Sequence, residues 1–282
     1  VKRGYRKIRV MAKIGEYIQR IEIDSLWSGH KHIVWNLDRK VNILSGVNGV
    51  GKSTILNKVI VRLLQIVKEA KPLNAEVRLT YYPEDATSVR FDVIRSFDRP
   101  LIQSSLLEKL ADDRVSTELD WQLYLLQRRY LDYQVNIGNR MIEMLVSGDP
   151  TAKEKAEEAA QARRIFQDLV DELFSETGKK IIRTSNEIQL EQYGEILSPY
   201  KLSSGEKQVL MILLTVLVED RQPYVLLMDE PEVSLHVEWQ QRLITMIRQL
   251  NPNVQIILTT HSPALIMNGW MDAVTEVTDI TQ

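Results

Sequence analysis

The sequence predicts an α/β protein with a mixed, largely parallel sheet flanked by helices and a helical subdomain inserted part-way along the chain. Three observations lead there. An apolar run at residues 41–44 passes straight into a glycine-rich loop and then into a helix beginning at Lys52. After Lys179, β-type and helical runs alternate, as in a parallel sheet whose crossovers are helices. Between them, residues 101–178 lose the β character and show helical periodicity.

In chain order, β-type runs at residues 18–27, 33–37 and 41–44 come first. The helix from Lys52 places Ile55, Leu56, Val59, Ile60, Leu63, Leu64 and Val67 at helical spacing and ends before Pro72. Strand-like runs at 76–82 and 88–95 follow. The inserted region is broken at Asp112-Asp113 and at Ser147-Gly148-Asp149-Pro150, and residues 153–174 read as a charged amphipathic helix. It is acidic on balance and holds no long heptad register, which favours a solvated helical face over a nucleic-acid groove or a coiled-coil arm. Trp121, Tyr124, Tyr130 and Tyr133 fall in one helical stretch; packing into the insertion's own core is their default, a docking surface the alternative. Then come a strand at 181–190, a loop through Pro199, a helix at 206–218, a strand at 224–228, a helix at 237–250 and a strand at 254–260. The expected organisation is an N-terminal lobe at 1–100, the helical subdomain at 101–178 and a C-terminal lobe at 179–282.

Composition narrows the class. Of 282 residues 44% are hydrophobic and 26% charged, ordinary for a globular chain. No cysteine is present, which excludes disulfides, thiol catalysis and cysteine-ligated zinc. The longest apolar run, 209–218, is far short of the ~20 residues that span a bilayer, and the basic first residues lack the apolar core of a secretory signal. A cytoplasmic protein with no membrane partner is expected. The net charge of −2 conceals a basic start, with Lys2, Arg3, Arg6, Lys7, Arg9 and Lys13 around Tyr5, read as a solvated arm with nucleic acid or an acidic partner as the alternative.

Gly46-Val47-Asn48-Gly49-Val50-Gly51-Lys52-Ser53 fits G-x-x-x-x-G-K-[ST] between a predicted strand and a predicted helix, the context in which backbone N–H groups and a helix N-terminus converge on phosphate. Gly46, Gly49 and Gly51 open the turn, Asn48 and Thr54 flank it, Lys52 reaches β/γ-phosphates, and the Ser53 hydroxyl is a Mg²⁺ ligand. The apolar strand at 224–228 ends in Asp229-Glu230. At the carboxyl edge of a parallel sheet, Asp229 would hold Mg²⁺ through its water shell and Glu230 would orient and deprotonate an attacking water. Leu202-Ser203-Ser204-Gly205-Glu206 opens a strongly apolar helix; Ser203 and Glu206 make a capping box, and Ser203 with the Gly205 amide offers a second anion site. His261 follows an apolar strand and precedes Ser262-Pro263, where an uncharged imidazole can contact a γ-phosphate and the attacking water. His30, His32 and His236 show no metal-type spacing.

In this order the motifs resemble those of the ABC-class ATPases: a P-loop at 46–54, a signature at 202–206, a Walker B strand with its catalytic glutamate at 225–230, a D-loop at 232–236 and a switch histidine at His261. The resemblance brackets residues 18–262 and leaves 101–178 uncovered. Asp229-Glu230-Pro231-Glu232-Val233-Ser234-Leu235-His236 and Thr259-Thr260-His261-Ser262-Pro263 are similar to the soluble branch related to DNA-repair and SMC heads. Within it the nearest resemblance is to ATPases of bacterial anti-phage systems of Septu, retron-associated and PARIS type, which work beside a nuclease or another effector. Ser204 stands where the signature usually has its first glycine, and the Q-loop has only Asp98 and Gln103 as candidates.

The resemblance implies an enzyme that hydrolyses ATP to ADP and phosphate with Mg²⁺, as a homodimer or higher homo-oligomer. Two nucleotides would sit between the P-loop of one subunit and Ser203, Ser204 and Gly205 of the other. Glu230, His261 and Lys52 would be catalytic, and Ser53 and Asp229 would hold the metal. A separate effector protein such as a nuclease would dock on the helical insertion. The alternatives are a DNA-binding clamp of DNA-repair type, which needs a basic upper surface, and a transporter subunit, which needs a coupling groove at a recognisable Q-loop.

Overall fold

The computed structural model describes residues 13–26, 29, 31–68, 76–95, 115 and 117–282. Lys2, Arg3, Arg6, Lys7 and Arg9 of the basic start, and Asp98 and Gln103, lie outside the described residues.

The chain begins with β1 (Ile14–Gly15), β2 (Tyr17–Leu26), β3 (Lys31–Asn36) and β4 (Val41–Ser45), followed by helix α1 (Lys52–Val67). Strands β5 (Val77–Tyr82), β6 (Ser88–Val89) and β7 (Phe91–Arg95) precede two long helices, α2 (Glu118–Val146) and α3 (Ala152–Leu173). Three short strands follow, β8 (Lys179–Ile181), β9 (Leu190–Gln192) and β10 (Glu195–Leu197). The last part runs α4 (Ser204–Val218), β11 (Tyr224–Asp229), α5 (Val237–Leu250), β12 (Val254–Thr259), α6 (Pro263–Met267) and β13 (Val274–Glu276).

Five strands form the central sheet in the order β13-β4-β12-β11-β7, every pair parallel. Their side chains alternate between two cores, as period-two geometry requires. Val225, Leu227, Ile257 and Leu44 face α1 and the antiparallel sheet β3-β2-β5, while Leu226, Met228, Ile256, Leu258 and Ile43 face the helices α2 to α5. A strand buried on both faces needs a continuous apolar run, which is what residues 224–228 and 254–258 supply around the single polar Gln255. Gln255 is itself used: its amide donates to the carbonyls of Ile18 and Asp38 and accepts from the Ile18 N–H, all at 2.8 Å, tying β12 to β2. Helix α4 is buried almost all round, in keeping with its apolar run at 209–218, broken by Thr215 alone.

The helical pair is anchored through α4. Lys207 meets the buried carboxylate of Asp120 at 2.8 Å, and Arg129 of α2 bridges Asp92 of β7 (3.0 Å) and Glu219 at the end of α4 (2.5 Å). Thr117 and Asp120 form the capping box that starts α2. Tyr130 and Tyr133 are buried, Tyr130 packing on Phe166 of α3, whereas Trp121 and Tyr124 stack on each other, partly exposed, with Arg128 over the Tyr124 ring.

Two segments differ from the sequence expectation. The run at 181–190 is two strands, because the polar stretch Thr184-Ser185-Asn186-Glu187 turns the chain, the Ser185 hydroxyl accepting from the Glu187 N–H at 3.2 Å. β8, β9 and β10 then form an antiparallel meander where a loop was expected after Leu190. The run at 88–95 also splits, since β6 pairs with β1 while β7 joins the central sheet.

Candidate functional site

Parallel pairing sets the site. Asp229 of β11 lies opposite Thr259 of β12, and Thr259 opposite Leu44 of β4, so the carboxyl ends of three strands arrive together where the chain leaves β4 for the glycine loop. Gly49 and Gly51 have φ of 81° and 102°, which glycine adopts at no steric cost, and Gly51 hands the chain directly into α1. A cavity of about 520 Å³ opens there, lined by Asn48, Gly49, Gly51, Lys52, Ser53, Thr54, Glu230 and His261. Gly46 and Asp229 lie behind this lining, held to it through Lys52 and Ser53 respectively.

Lys52 is 4% exposed. Its ammonium donates to the carbonyl oxygens of Gly46 (2.9 Å) and Val47 (3.2 Å) inside the loop. Burial lowers its pKa, and the charges of Glu230, Asp229 and Glu232 oppose that shift. The Ser53 hydroxyl donates to Asp229 Oδ1 at 2.9 Å, and the Thr259 hydroxyl donates to the same oxygen at 2.6 Å. Glu230 sits at φ 47°, a left-handed conformation uncommon outside glycine; its N–H donates to the Thr259 carbonyl and hydroxyl, both at 3.1 Å. This turn swings its carboxylate toward His261, with Oε1 at 3.1 Å from Nε2. The other ring nitrogen, Nδ1, lies 3.4 Å from the Lys52 ammonium. An ammonium has no lone pair, so Nδ1 accepts and the Nε2–H tautomer points at Glu230.

Four residues complete the arrangement: Glu232, Thr259 and Thr260, which the sequence reading placed in its motifs without giving them a role in the site, and Gln240, which it did not single out. The buried Glu232 accepts through Oε1 from the Thr260 hydroxyl and from the N–H groups of His261 (3.0 Å) and Ser262 (3.3 Å). The signal available beforehand was a third carboxylate after Asp229-Glu230-Pro231 and two hydroxyls ahead of His261.

Leu202–Glu206 is not among the lining of that cavity. Ser203 caps α4, its hydroxyl donating to Glu206 Oε2 at 2.9 Å and accepting from the Glu206 N–H at 3.3 Å, while Ser203 and Ser204 are exposed. Gly205 has a tighter reason to be glycine than an anion: a Cβ there would collide with the carbonyl oxygen of Ser234.

A glycine cradle with a lysine inside it, a hydroxyl paired with a carboxylate, and a carboxylate paired with a histidine at the carboxyl edge of a parallel sheet define a P-loop NTPase. The chain belongs to the family described as "AAA domain, putative AbiEii toxin, Type IV TA system", which matches residues 62–268. That match begins beyond the glycine loop, so the loop supports the assignment independently.

The chain is 28% identical over 157 residues to the "Retron Vc95 probable ATPase" of Vibrio cholerae serotype O1 biovar El Tor, covering 51% of this chain and 30% of that one. It is 36% identical over 105 residues to the "Septu protein PtuA" of Bacillus thuringiensis, covering 33% and 24%. The matched segments thus span less than a third of either relative. Among solved structures, an SMC head bound to the C-winged-helix domain of ScpA aligns with a TM-score of 0.47 and 17% identity over 89% of this chain and 92% of that one. Over part of its length the chain is thus similar to a retron probable ATPase and to a Septu protein.

Proposed function

We propose that this protein binds and hydrolyses ATP at the cavity above the glycine loop and uses the nucleotide cycle as a switch for a separate effector protein, such as a nuclease, in bacterial anti-phage defence. One observation carries the enzymatic part: Lys52, Ser53, Glu230 and His261 line a single cavity, with Asp229 bonded directly behind Ser53. Gly46, Asn48, Gly49, Gly51 and Thr54 cradle the phosphates, and Lys52 leaves its two loop carbonyls for them. The Ser53 hydroxyl and the Asp229 carboxylate, hard oxygen donors 2.9 Å apart, fit Mg²⁺, which neutralises phosphate oxygens when bound. Glu230 takes the proton of the attacking water, and the His261 Nε2–H steadies its carboxylate.

Ser203, Ser204 and Gly205 lie outside their own chain's cavity, and Ser203 and Ser204 are exposed, which supports their use by a second copy. We therefore read the working form as a head-to-tail homodimer or larger homo-oligomer with two shared sites. The division at residues 100 and 178 and the cytoplasmic location belong to this proposal; among the described residues no helix is long and apolar enough to cross a membrane. The test is ATP turnover with Mg²⁺ by purified protein, with Glu230→Gln as control: hydrolysis abolished by the substitution supports the reading, and hydrolysis that survives it assigns the base elsewhere.

A further inference from the structure

We infer that Glu232 is a positioning residue for hydrolysis, holding the turn at residues 260–262 so that His261 faces Glu230. The inference rests on the ATPase reading above. Glu232 is 7% exposed and its Oε1 gathers three donors, the Thr260 hydroxyl and the backbone N–H groups of His261 and Ser262. A charged acceptor shared by consecutive amides fixes a turn more strongly than neutral bonds do. β12 ends at Thr259 and its ladder reaches only as far as the Thr260 N–H, on the Leu44 carbonyl at 3.4 Å; the Ser262 N–H is shared between Glu232 and the Thr260 hydroxyl (2.9 Å), and the His261 N–H is met by Glu232.

Gln240 of α5 closes the other side. The Ser262 hydroxyl donates to Gln240 Oε1 at 2.6 Å, and Gln240 Nε2 donates to the carbonyls of Leu235 (2.9 Å) and Glu232 (3.3 Å). Both flanks of His261 are thus bonded to side chains from residues 232–240, while the imidazole lies between Lys52 and Glu230. The second carboxylate oxygen, Oε2, is buried and has no hydrogen-bond partner among the described residues. Ser234, two residues on, packs its carbonyl against Gly205, so the signature helix and the His261 turn meet in one short segment anchored by Glu232.

The experiment compares wild type, Glu232→Ala, Glu232→Gln and Thr260→Val for ATP kcat and KM, thermal unfolding, and the ¹⁵N imidazole spectrum of His261 without nucleotide. Glu232→Ala is expected to lower kcat on the order of 10²-fold, the cost of a misplacement of about 1 Å, with KM little changed. Its imidazole signal should pass from the Nε2–H tautomer to an exchanging mixture. Glu232→Gln keeps an acceptor oxygen and should recover most of kcat and the original tautomer. Thr260→Val removes one donor and should move both readouts part-way, which decides the matter if the alanine variant does not fold. A folded Glu232→Ala or Thr260→Val protein with the wild-type tautomer and kcat overturns the inference. A wild-type protein that does not hydrolyse ATP overturns the ATPase reading instead, and the imidazole spectrum then decides the role of Glu232 by itself.

Discussion

At Lys52 an ammonium with 4% exposure rests on two carbonyl oxygens of its own loop; burial lowers its pKa, and the charges of Glu230, Asp229 and Glu232 oppose that shift. Replacing Lys52 with alanine removes the only lysine or arginine that lines the cradle among the described residues, so titration calorimetry with ATP should show binding lost; unchanged affinity would assign the phosphates to another site. Glu230→Gln keeps the shape and removes the base, so ATP should still bind while turnover falls at least ~10²-fold, as measured by phosphate release. Glu206 provides a pH test. Burial works against its charge, but Lys179 at 2.8 Å and the Ser203 N–H and hydroxyl outweigh that and hold its carboxyl below the ordinary value. A depressed acid stabilises the fold fully above its unfolded pKa and loses the contribution as pH falls through the folded one, so denaturant midpoints should drop at acid pH and Glu206→Gln should flatten that drop. Lys52, Ser53, Asp229 and Glu230 were legible because local spacing fixes them. Glu232, Thr259 and Thr260 were not, since each acts on a partner 28 to 30 positions away and only strand register brings them together.

Elements with a strong period were read closely. The helix expected at 237–250 has those bounds, and the strands expected at 224–228 and 254–260 end within a residue of β11 and β12, because burial on both faces leaves only one apolar pattern. The expectation for 181–190 failed where its apolar ends concealed a polar turn. The anchoring of α2 to α4 was also invisible, since its ion pairs, Asp120–Lys207 and Arg129–Glu219, join residues far apart in sequence. Asp120→Ala would leave Lys207, 12% exposed, without its carboxylate and also open the capping box of α2. Chemical denaturation should show a loss of about 3–5 kcal/mol, the range for breaking a buried pair from one side; a loss below about 1 kcal/mol, typical of exposed pairs, would mean that water reaches Lys207.

Across the whole molecule, Ser203, Ser204 and Gly205 are not among the residues lining the glycine-loop cavity, and that separation is the strongest support for the proposal of a site shared between two copies. The effector surface is tested separately: Trp121 and Tyr124 are partly exposed and stack away from the core, so alanine there should spare ATP turnover and abolish co-purification with an effector encoded beside the gene. Weakened DNA binding with a steep salt dependence in the same variants would favour a clamp. The shared site itself is tested by mixing Lys52→Ala chains with Ser203→Arg chains. In a head-to-tail heterodimer one composite site carries both lesions and the other carries neither, so the mixture is predicted to hydrolyse ATP when each variant alone does not. Proven heterodimers without any recovered turnover would contradict a site shared between two copies.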